Sequence, residues 1–470
     1  MSMQSQLTQT MSELEALDRA DVLHGFANLH AQATSEVVVV SHASGMKVTD
    51  QRGREFLDAG GGLWCMNVGY GRKSIADVAA EQIAKLPYFH SFSNFSNEPM
   101  IRLAVRLVRL APPGMSRVVF ASSGSEANDT QIKIVRRYNN LLGRPAKKKI
   151  IARLSSYHGS TVAAGSLSGL PMMHRTFDLP IPGIMHTLDT DYHRRPDEIK
   201  APEQFTNYLI DSLTQLIEAE RPETVAAFIA EPVCGSGGVL VPPPGYFPEI
   251  KKVLDHYDIL MIADEVITGF GRTGSWFASP DLGLQPDLMS IAKGLTSGYF
   301  PMSACLISAK VADVLYADKS SSATFAHGFT WSGHPVGAAI AHANLDIMER
   351  ENLPGNAAAV GSYLMRRIQE RLGDHPLVGE IRGKGLLIGL ELDADRATRR
   401  PFADTQLVGG ILARACFQEH LLVRGGHGRV LAALAPPLIA TTADADEIVA
   451  RLARALDRVA ADLRKVGVEA

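Results

Sequence analysis

The chain has 470 residues, of which 46% are hydrophobic and 21% are charged, and its formal net charge is −3. At roughly 150 residues per domain, this length allows about three domains, or one large and one small domain. A near-neutral charge gives little reason to expect nucleic acid or an acidic membrane as a partner. Since no apolar run reaches the roughly 18 residues that cross a bilayer, we expect no membrane-spanning helix.

Two further features concern the compartment of the protein. The N-terminal sequence MSMQSQLTQTMSELEALDRAD lacks the basic and then apolar pattern of a secretory signal. The cysteines lie far apart and form no CxxC pair; they are Cys65, Cys234, Cys305 and Cys416. This spacing argues against a disulfide framework and against structural zinc. We therefore expect a cytoplasmic globular protein without a metal site.

The N-terminal part of the chain predicts a polar segment, several strands and a helix. Polar residues dominate the first 20 positions, which we expect to be poorly ordered or to lie on a partner surface. From Glu36, the runs EVVVV, GMKVTD and REFLDA predict short antiparallel strands. Ser74 is the predicted N-cap of the amphipathic helix IADVAAEQIAKL, with Asp77 as its capping-box partner.

The middle of the chain alternates helical stretches with apolar runs of four to eight residues. The helix MIRLAVRLVRLA ends at Pro112-Pro113-Gly114, and further helices are predicted from GSEAND, near 203–220 and at 246–257. The predicted strands are RVVFA (117–121), KKIIAR (148–153), VAAFIAE (225–231), ILMIADEV (259–266), DLMSIAK (287–293) and SACLIS (303–308). This alternation indicates an α/β fold with a mostly parallel, doubly wound sheet, whose ligands lie at the carboxyl ends of its strands.

The C-terminal part predicts a second, smaller α+β unit. It begins with the helix PVGAAIAHANLDIMERE and continues with the strand GLLIGLEL (385–392), a further helix and a final helix from Thr442. The N-terminal strands are expected to complete this unit. The predicted division is therefore an N-terminal segment (1–73) that contributes to the small domain, a large domain (74–335) and a C-terminal small domain (336–470).

Charged residues at predicted strand ends are the most informative feature. Asp264 and Glu265 end a strand that should be fully buried, and Lys293 ends another. A buried charge needs partners or a shifted pKa, so these residues form a structural ion pair, lie just outside the sheet, or belong to a functional site. The loop Gly124-Ser125-Glu126 leads into a helix N-terminus, which suits a phosphate or is a plain N-cap. The run 269–274 (GFGRTG) lacks the GK[ST] ending of a phosphate loop, so we reject that interpretation.

A lysine, a strand-end aspartate and a phosphate cradle together suggest pyridoxal phosphate. The cofactor needs a lysine to hold its aldehyde as a Schiff base. It also needs a carboxylate that keeps its ring nitrogen protonated, because the protonated ring is the electron sink. The released lysine is then placed to move a proton between substrate and cofactor carbons.

Six motifs make the sequence resemble the class III (omega) aminotransferases of the fold-type I pyridoxal-phosphate enzymes over nearly the whole chain. They are SSGSEAND (122–129), SYHGST (156–161), AEPVCGSGG (230–238), IADEVITGFGRTG (262–274), SIAKGLTSGYFPMSA (290–304) and HGFTWSGHPV (327–336). The resemblance implies a large domain with a central sheet, a small domain from both chain ends, and a homodimer, or a tetramer, with active sites at the interface.

The resemblance also implies a role for individual positions. Lys293 would be the Schiff-base lysine and proton shuttle, and Asp264 would pair with the ring nitrogen. The other implied cofactor residues are Gly124 and Ser125 at the phosphate, Thr330 at the phosphate of the neighbouring subunit, and Tyr157 and Val266 on the two faces of the ring. Glu126 and Glu231 would support the site, and His158 would make a structural hydrogen bond.

Two regions resemble the amine:pyruvate branch of the family. In LWCMNVGYGRK (63–73) and LPYFHSF (86–92), Trp64, Tyr88 and also Phe26 would line the substrate pocket, unless they are ordinary aromatic core. Arg424, in LLVR before the Pro436-Pro437 segment, matches the mobile arginine that binds an acceptor carboxylate. A surface salt bridge is the alternative for Arg424.

One difference from other branches of the family reduces the number of candidate reactions. Ornithine- and 4-aminobutyrate-type relatives carry a glutamate where this chain has Ser236. Its absence favours transfer of the amino group of an amine or omega-amino acid, such as beta-alanine, to pyruvate, which gives an aldehyde or ketone and L-alanine. An aminomutase or a decarboxylase on the same fold is the alternative enzyme. A non-catalytic cofactor sensor is disfavoured because the short, acidic N-terminus cannot hold a DNA-binding module.

Overall fold

The computed structural model describes residues 13–33, 35–320 and 323–468. We predicted that the first 20 positions are poorly ordered or lie on a partner surface. Residues 1–12 of this segment lie outside the described residues. Residues 13–21 form a helix, α1, and the short helix α2 follows at Leu29–Gln32.

A seven-stranded sheet lies at the centre of the molecule, in the order β4-β10-β9-β8-β7-β5-β6. Its strands are β4 (Met115–Ala121), β5 (Lys149–Arg153), β6 (Ile184–Thr187), β7 (Val225–Ala230), β8 (Leu260–Asp264), β9 (Leu288–Ile291) and β10 (Ser303–Ser308). Only β10 runs antiparallel to its neighbours β4 and β9. The predicted α/β fold with a mostly parallel sheet is confirmed, and every residue of β7 and β8 is buried.

Helices connect and cover these strands. Those before and within the sheet region are α3 (Gly61–Trp64), α4 (Lys73–Lys85), α5 (Glu98–Leu110), α6 (Gly124–Leu141), α7 (Val162–Leu167), α8 (Pro202–Ala219), α9 (Tyr246–His256), α10 (Ala278–Asp281) and α11 (Ala309–Ala317). Short 3₁₀ turns occupy Pro171–Met173, Pro222–Thr224 and Lys293–Leu295. Within the described ranges, no helix is long and apolar enough to cross a membrane.

The two chain ends form two smaller sheets. One has the order β1-β2-β3-β13, and the other has the order β11-β12-β14. The elements are β1 (Val40–Ser44), β2 (Lys47–Asp50), β3 (Glu55–Asp58), α12 (Pro335–Arg350), α13 (Leu353–Leu372), β11 (Val378–Lys384), β12 (Leu387–Leu392), α14 (Thr405–Gln418), β13 (Leu421–Leu422), β14 (Val430–Leu434) and α15 (Thr442–Lys465). Since β13 pairs with β3, strands from both ends share one sheet. The domain limits after residues 73 and 335 stay predictions.

Three local predictions fail. The run EVVVV does not form a strand, because β1 begins only at its last residue, Val40. Helix α4 begins at Lys73 with Arg72 as N-cap, so Ser74 lies inside it. No capping box forms there, since the carboxylate of Asp77 binds Lys73 Nζ at 2.6 Å.

The edge strand β6 and the strand β11 were not predicted; β6 pairs only with β5, and β11 has mostly half-buried residues that break the apolar pattern.

The run 269–274, which we rejected as a phosphate loop, has a structural role. The fully buried Arg272 donates to the carbonyl oxygens of Leu386 (3.1 Å) and Pro436 (2.5 Å) and to Asn67 Oδ1 (2.9 Å). These partners belong to three distant parts of the chain. Burial lowers the pKa of Arg272 to about 10, because no carboxylate among the described residues pairs with it.

Two helical glycines provide a test of the packing between α13 and the β11–β12 turn. A Cβ on Gly361 would lie 2.2 Å from the carbonyl oxygen of Gly385, whereas a Cβ on Gly410 in α14 would meet nothing within 4 Å. We expect Gly361→Ala to lower the free energy of unfolding by about 1–3 kcal/mol through overpacking. Gly410→Ala should raise it by up to about 1 kcal/mol, since alanine favours the helix.

Urea unfolding of the two variants and the parent protein measures both effects. A Gly361→Ala variant as stable as the parent would contradict the packing described here.

Candidate active site

The carboxyl ends of the parallel strands bring the predicted residues together at one edge of the sheet. Asp264 ends β8, Glu231 follows β7 and Lys293 follows β9 after one residue. Gly124 lies beyond β4, and Tyr157 lies beyond β5. All five line one cavity of about 230 Å³. Their convergence follows from the common direction of the strands, since parallel strands end at the same edge.

Asp264 is buried, and its carboxylate accepts three hydrogen bonds. Its Oδ2 accepts from Asn128 Nδ2 at 2.9 Å and from His158 Nδ1 at 2.7 Å, and its Oδ1 accepts from the Val266 amide at 3.1 Å. Asn128 also donates to the carbonyl oxygen of His158 at 2.6 Å, so the three side chains fix each other. A buried carboxylate is tolerable only with such partners. The hydrogen bond expected of His158 therefore exists, and its acceptor is Asp264.

Lys293 has no such partner. Its Nζ forms no hydrogen bond or ion pair with any described residue and lies 5.8 Å from the centre of the Trp64 ring. Burial lowers the pKa of Lys293, although the charge of Asp264 opposes this effect. A lysine with a lowered pKa is more readily a neutral amine, which is the form that attacks a carbonyl carbon.

The N-terminus of α6 forms a cradle for an anion. Ser123 caps the helix by accepting from the Glu126 amide at 3.2 Å, so the first amides, those of Gly124 and Ser125, remain without an acceptor in the helix. A Cβ on Gly124 would come within 3.1 Å of Val266. A Cβ on Gly159, which has φ +136°, would lie 2.4 Å from Ser125 Oγ. Both glycines thus keep the cradle open.

The loop after β7 supplies another buried carboxylate. Glu231 Oε1 accepts from the Tyr157 amide at 3.0 Å, and Oε2 accepts from the Gly235 amide at 2.8 Å. Burial raises the pKa of Glu231. Ser236, five residues further along, also lines the cavity. Glu231 therefore orients Tyr157 and its own loop, which agrees with a supporting role.

Two other carboxylates named from the sequence lie away from the cavity. Glu126 Oε2 accepts from the Ser122 amide at 2.7 Å and completes the cap of α6. Glu265 Oε1 accepts from the amide and the hydroxyl of Ser279, both at 2.6 Å. Both residues are structural, and neither lines the cavity.

The outer part of the cavity is aromatic on one side and cationic on the other. Phe26, Trp64 and Arg424, which we named from the sequence for the substrate pocket, line this cavity together with His427, which the sequence analysis missed. The ring centres of Phe26 and His427 lie 6.1 Å apart. Burial, followed by the charge of Arg424, lowers the pKa of His427.

Tyr88 and Thr330 do not line the cavity of their own chain. Tyr88 donates to the carbonyl oxygen of Thr330 at 2.8 Å, and Thr330 is exposed. The prediction that Tyr88 lines the substrate pocket therefore does not hold within one chain. The hydrogen bond places the half-buried Tyr88 directly beside the exposed Thr330.

Three residues that line the cavity have backbone angles that non-glycine residues rarely adopt. The φ angle is +57° for Phe26, +59° for Trp64 and +42° for Lys293. Each such conformation costs about 1–3 kcal/mol and persists only where the surroundings enforce it. Gly294 contributes to this enforcement, since a Cβ there would lie 2.4 Å from Asn67 Nδ2.

The residues present fit pyridoxal phosphate. The unpaired Lys293 and the carboxylate of Asp264 line the same cavity as the N-terminus of α6. At that helix end, a Cβ on Gly124 or Gly159 would fill the space for a phosphate. The fold and this site together define a pyridoxal-phosphate enzyme of fold type I.

Comparison with known proteins identifies the family. The family model for class-III aminotransferases matches residues 29–456. The chain is 45% identical over 462 residues to a diaminobutyrate–2-oxoglutarate transaminase of Halomonas elongata, covering 97% of this chain and 98% of that protein. It is 42% identical over 461 residues to a putrescine–pyruvate aminotransferase of Pseudomonas aeruginosa, covering 98% and 99% of the two chains.

A solved omega transaminase of Pseudomonas jessenii, in complex with PMP, has a TM-score of 0.93 to this structure at 42% identity, and the match covers 97% of this chain and 100% of that one. The chain belongs to the class-III aminotransferase family and is a pyridoxal-phosphate-dependent aminotransferase.

Replacement of Lys293 tests the site directly. We expect Lys293→Ala to lower the transamination rate by at least about 10²–10⁴-fold, because no other described amine faces Asp264 in the cavity. The matched control is Lys310→Ala, since Lys310 pairs with Asp287 outside the cavity, and its rate should stay within about twofold of the parent. Steady-state assays with one amine and one keto acid measure both. A Lys293→Ala enzyme that keeps most of its rate would refute the site.

Proposed function

We propose that this enzyme transfers the amino group of an amine or omega-amino acid, such as beta-alanine, to pyruvate, and releases an aldehyde or ketone and L-alanine. The observation that carries the proposal is Arg424. This residue lines the cavity, and its guanidinium forms no ion pair with any carboxylate among the described residues. An arginine without a carboxylate partner is suited to bind the carboxylate of a substrate through two parallel hydrogen bonds.

Each residue at the inner end of the cavity has a proposed role. Bound pyridoxal phosphate supplies the electron sink of the reaction. Lys293 would hold the aldehyde end of the cofactor and, as a free amine, move a proton at the substrate carbon that carries nitrogen. Asp264, oriented by Asn128 and His158, would keep the ring nitrogen protonated.

The remaining inner residues would hold the cofactor in place. Gly124 and Ser125 would bind its phosphate through their amides. Tyr157 and Val266 would lie on its two faces, while Glu231 orients the Tyr157 segment.

The cationic groups of the cavity favour a keto acid with one carboxylate. Apart from Lys293, only Arg424 carries a permanent positive charge among the described residues that line it. His427 adds no stable charge near neutral pH, because burial and Arg424 lower its pKa. A dicarboxylate such as 2-oxoglutarate, which the Halomonas elongata relative uses according to its name, would bury a second carboxylate without a cation.

The walls around Arg424 suit an apolar or extended donor. Phe26, Leu63, Trp64 and Ile267 line this part of the cavity. Ser236 stands where a glutamate would hold an arginine away from the substrate in the 4-aminobutyrate-type relatives. Arg424 would thus bind the carboxylate of pyruvate or of beta-alanine, and it would turn towards solvent when the donor is an amine without a carboxylate.

We also propose a homodimer in the cytoplasm, with Thr330 reaching the phosphate of the second copy. The surface around Tyr88 and Thr330 carries an aromatic patch that includes Phe89, Phe95 and Trp331, of which 43%, 54% and 56% is exposed. Contiguous exposed aromatic residues are typical of interfaces. The four cysteines are unpaired, which is consistent with a reducing compartment.

Separate half-reactions test the proposed acceptor. The purified enzyme is mixed with beta-alanine, putrescine, butylamine or 1-phenylethylamine, and the absorbance of the bound cofactor is followed. The amine-loaded enzyme is then mixed with pyruvate or 2-oxoglutarate. We expect at least one donor to convert the cofactor and pyruvate to restore it at least tenfold faster than 2-oxoglutarate, with L-alanine as product.

Arg424→Ala should raise the half-saturating concentration of pyruvate at least tenfold while butylamine or 1-phenylethylamine still converts the cofactor. Arg454→Ala is the control, because Arg454 pairs with Glu419 far from the cavity. Equal rates with both keto acids would refute the preference for pyruvate. Absence of conversion by every amine would favour an aminomutase or a decarboxylase.

A further inference from the structure

A buried cluster of charged side chains lies beside the cavity without lining it. We name it the anchor cluster, and its members are Asp191, Arg194, Arg382, Glu391, Asp393 and Arg429. The exposed fraction of the side chain is 3% for Asp191, 1% for Glu391 and 0% for Asp393. Buried charges weaken a fold unless they are well paired, so a cluster of this size needs an explanation.

The charges within the cluster are matched. Glu391 Oε1 lies 2.7 Å from Arg194, and Oε2 lies 2.6 Å from Arg382 and 3.5 Å from Arg429. Burial alone would raise the pKa of Glu391, but the three guanidinium groups outweigh it and lower this pKa to about 2. Arg429 also pairs with Asp191, which raises the pKa of Arg429 against the effect of burial.

The cluster holds one end of the segment that carries Arg424. We name residues 424–429 the Arg424 loop. At its first residue, the amide and carbonyl groups of Arg424 bond the backbone of Ala433 at 3.1 and 2.8 Å. At its last residue, the side chain of Arg429 enters the anchor cluster. Between these fixed points lie three glycines and His427, and Gly428 has φ +71°.

A loop with three glycines has many backbone conformations, so its ends must be fixed if its side chains are to face one cavity. Arg424 and His427 both face the cavity. The backbone just beyond the other end is held by β14, where Val430 pairs with Leu392, and the ion pair of Arg429 adds a side-chain restraint at the last residue of the loop.

The base of the cluster is rigid. Asp191 follows the edge strand β6, and its Oδ1 accepts from the amides of His193 (3.1 Å) and Arg194 (3.3 Å). Asp191 therefore presents its other oxygen to Arg429 from the carboxyl edge of the same sheet that carries Asp264. In addition, Arg382 donates twice to the carbonyl oxygen of Gly238, at 2.9 and 2.6 Å, at the end of the loop that holds Glu231 and Ser236.

We propose that Arg429 is a positioning residue for the keto acid: its ion pair with Asp191 holds the Arg424 loop so that the Arg424 guanidinium faces the cavity. This inference rests on the proposed function, since it takes Arg424 as the group that binds the acceptor carboxylate. Arg429 itself does not touch the substrate. Its removal should therefore affect a substrate with a carboxylate and spare a substrate without one.

The test compares three variants of the cofactor-loaded enzyme. Arg429→Gln removes the ion pair that restrains the last residue of the loop, and Arg424→Ala removes the proposed carboxylate ligand. Arg194→Gln is the matched control, because it removes a guanidinium from the same cluster without touching either cavity loop. For each variant, the pyruvate concentration that half-saturates the second half-reaction is measured, together with the rate of the first half-reaction with butylamine or 1-phenylethylamine.

We expect Arg429→Gln to raise the half-saturating pyruvate concentration at least tenfold and to leave the amine half-reaction within threefold of the parent. Arg194→Gln should lower the melting temperature but leave both kinetic values within threefold. If Arg429→Gln does not fold, Arg429→Lys keeps the charge in the cluster but loses the planar guanidinium, whose Nη1 contacts Asp191 and Glu391 while its Nη2 lies 3.7 Å from Asp189, and the same split is expected.

Two outcomes overturn the inference while the proposed function stands. In one, Arg424→Ala raises the half-saturating pyruvate concentration and Arg429→Gln does not. In the other, Arg194→Gln has the same kinetic effect as Arg429→Gln, so the cluster serves only general stability. A variant Arg424→Ala with unchanged pyruvate saturation instead refutes the proposed function itself, and the inference with it.

Discussion

The structure depends on one constraint: the carboxylate of Asp264 must be hydrogen-bonded because it lies at the end of a fully buried strand. Asp264 ends β8, all of whose residues are buried, and three donors surround its two oxygens. Two of these donors, Asn128 and His158, come from segments that follow other strands of the same sheet. The side chain can thus be buried only where several parallel strands end together. That same edge is where Lys293 and the N-terminus of α6 lie.

The two ends of the cavity are built differently. The inner end is formed by strand ends and a helix N-terminus, which hold their groups rigidly. The outer end is formed by Phe26, Trp64 and the glycine-rich Arg424 loop, none of which lies in a strand of the central sheet. This contrast suits the proposed function, in which the cofactor is held in one position while the donor and the acceptor bind in turn in the same place. The buried charges around Glu391 connect the flexible end to the rigid sheet.

The sequence predicted those features that depend on buried apolar runs and strand ends. The α/β fold was predicted because β7, β8 and β9 are continuous apolar segments, and Asp264 and Lys293 stood out as charges at their ends. The EVVVV run and Ser74 were misinterpreted, because a local pattern does not reveal where the chain enters a sheet or a helix. Asn128 lies within a helix and His427 lies between glycines. Both were missed because their contacts are with residues that are distant in the sequence. Tyr88 was assigned to the pocket through the family resemblance of its segment, and the cavity formed by one chain does not include it.

The most direct test of this account is the protonation state of the cofactor ring nitrogen. The enzyme is loaded with pyridoxal phosphate labelled with ¹⁵N in the ring, and its nitrogen NMR spectrum is compared in the parent and in Asp264→Asn. The account predicts a protonated nitrogen in the parent over the range in which the enzyme is active, and an unprotonated nitrogen in the variant. The same chemical shift in both proteins would contradict the role given to Asp264 and, with it, the arrangement of the site around that carboxylate.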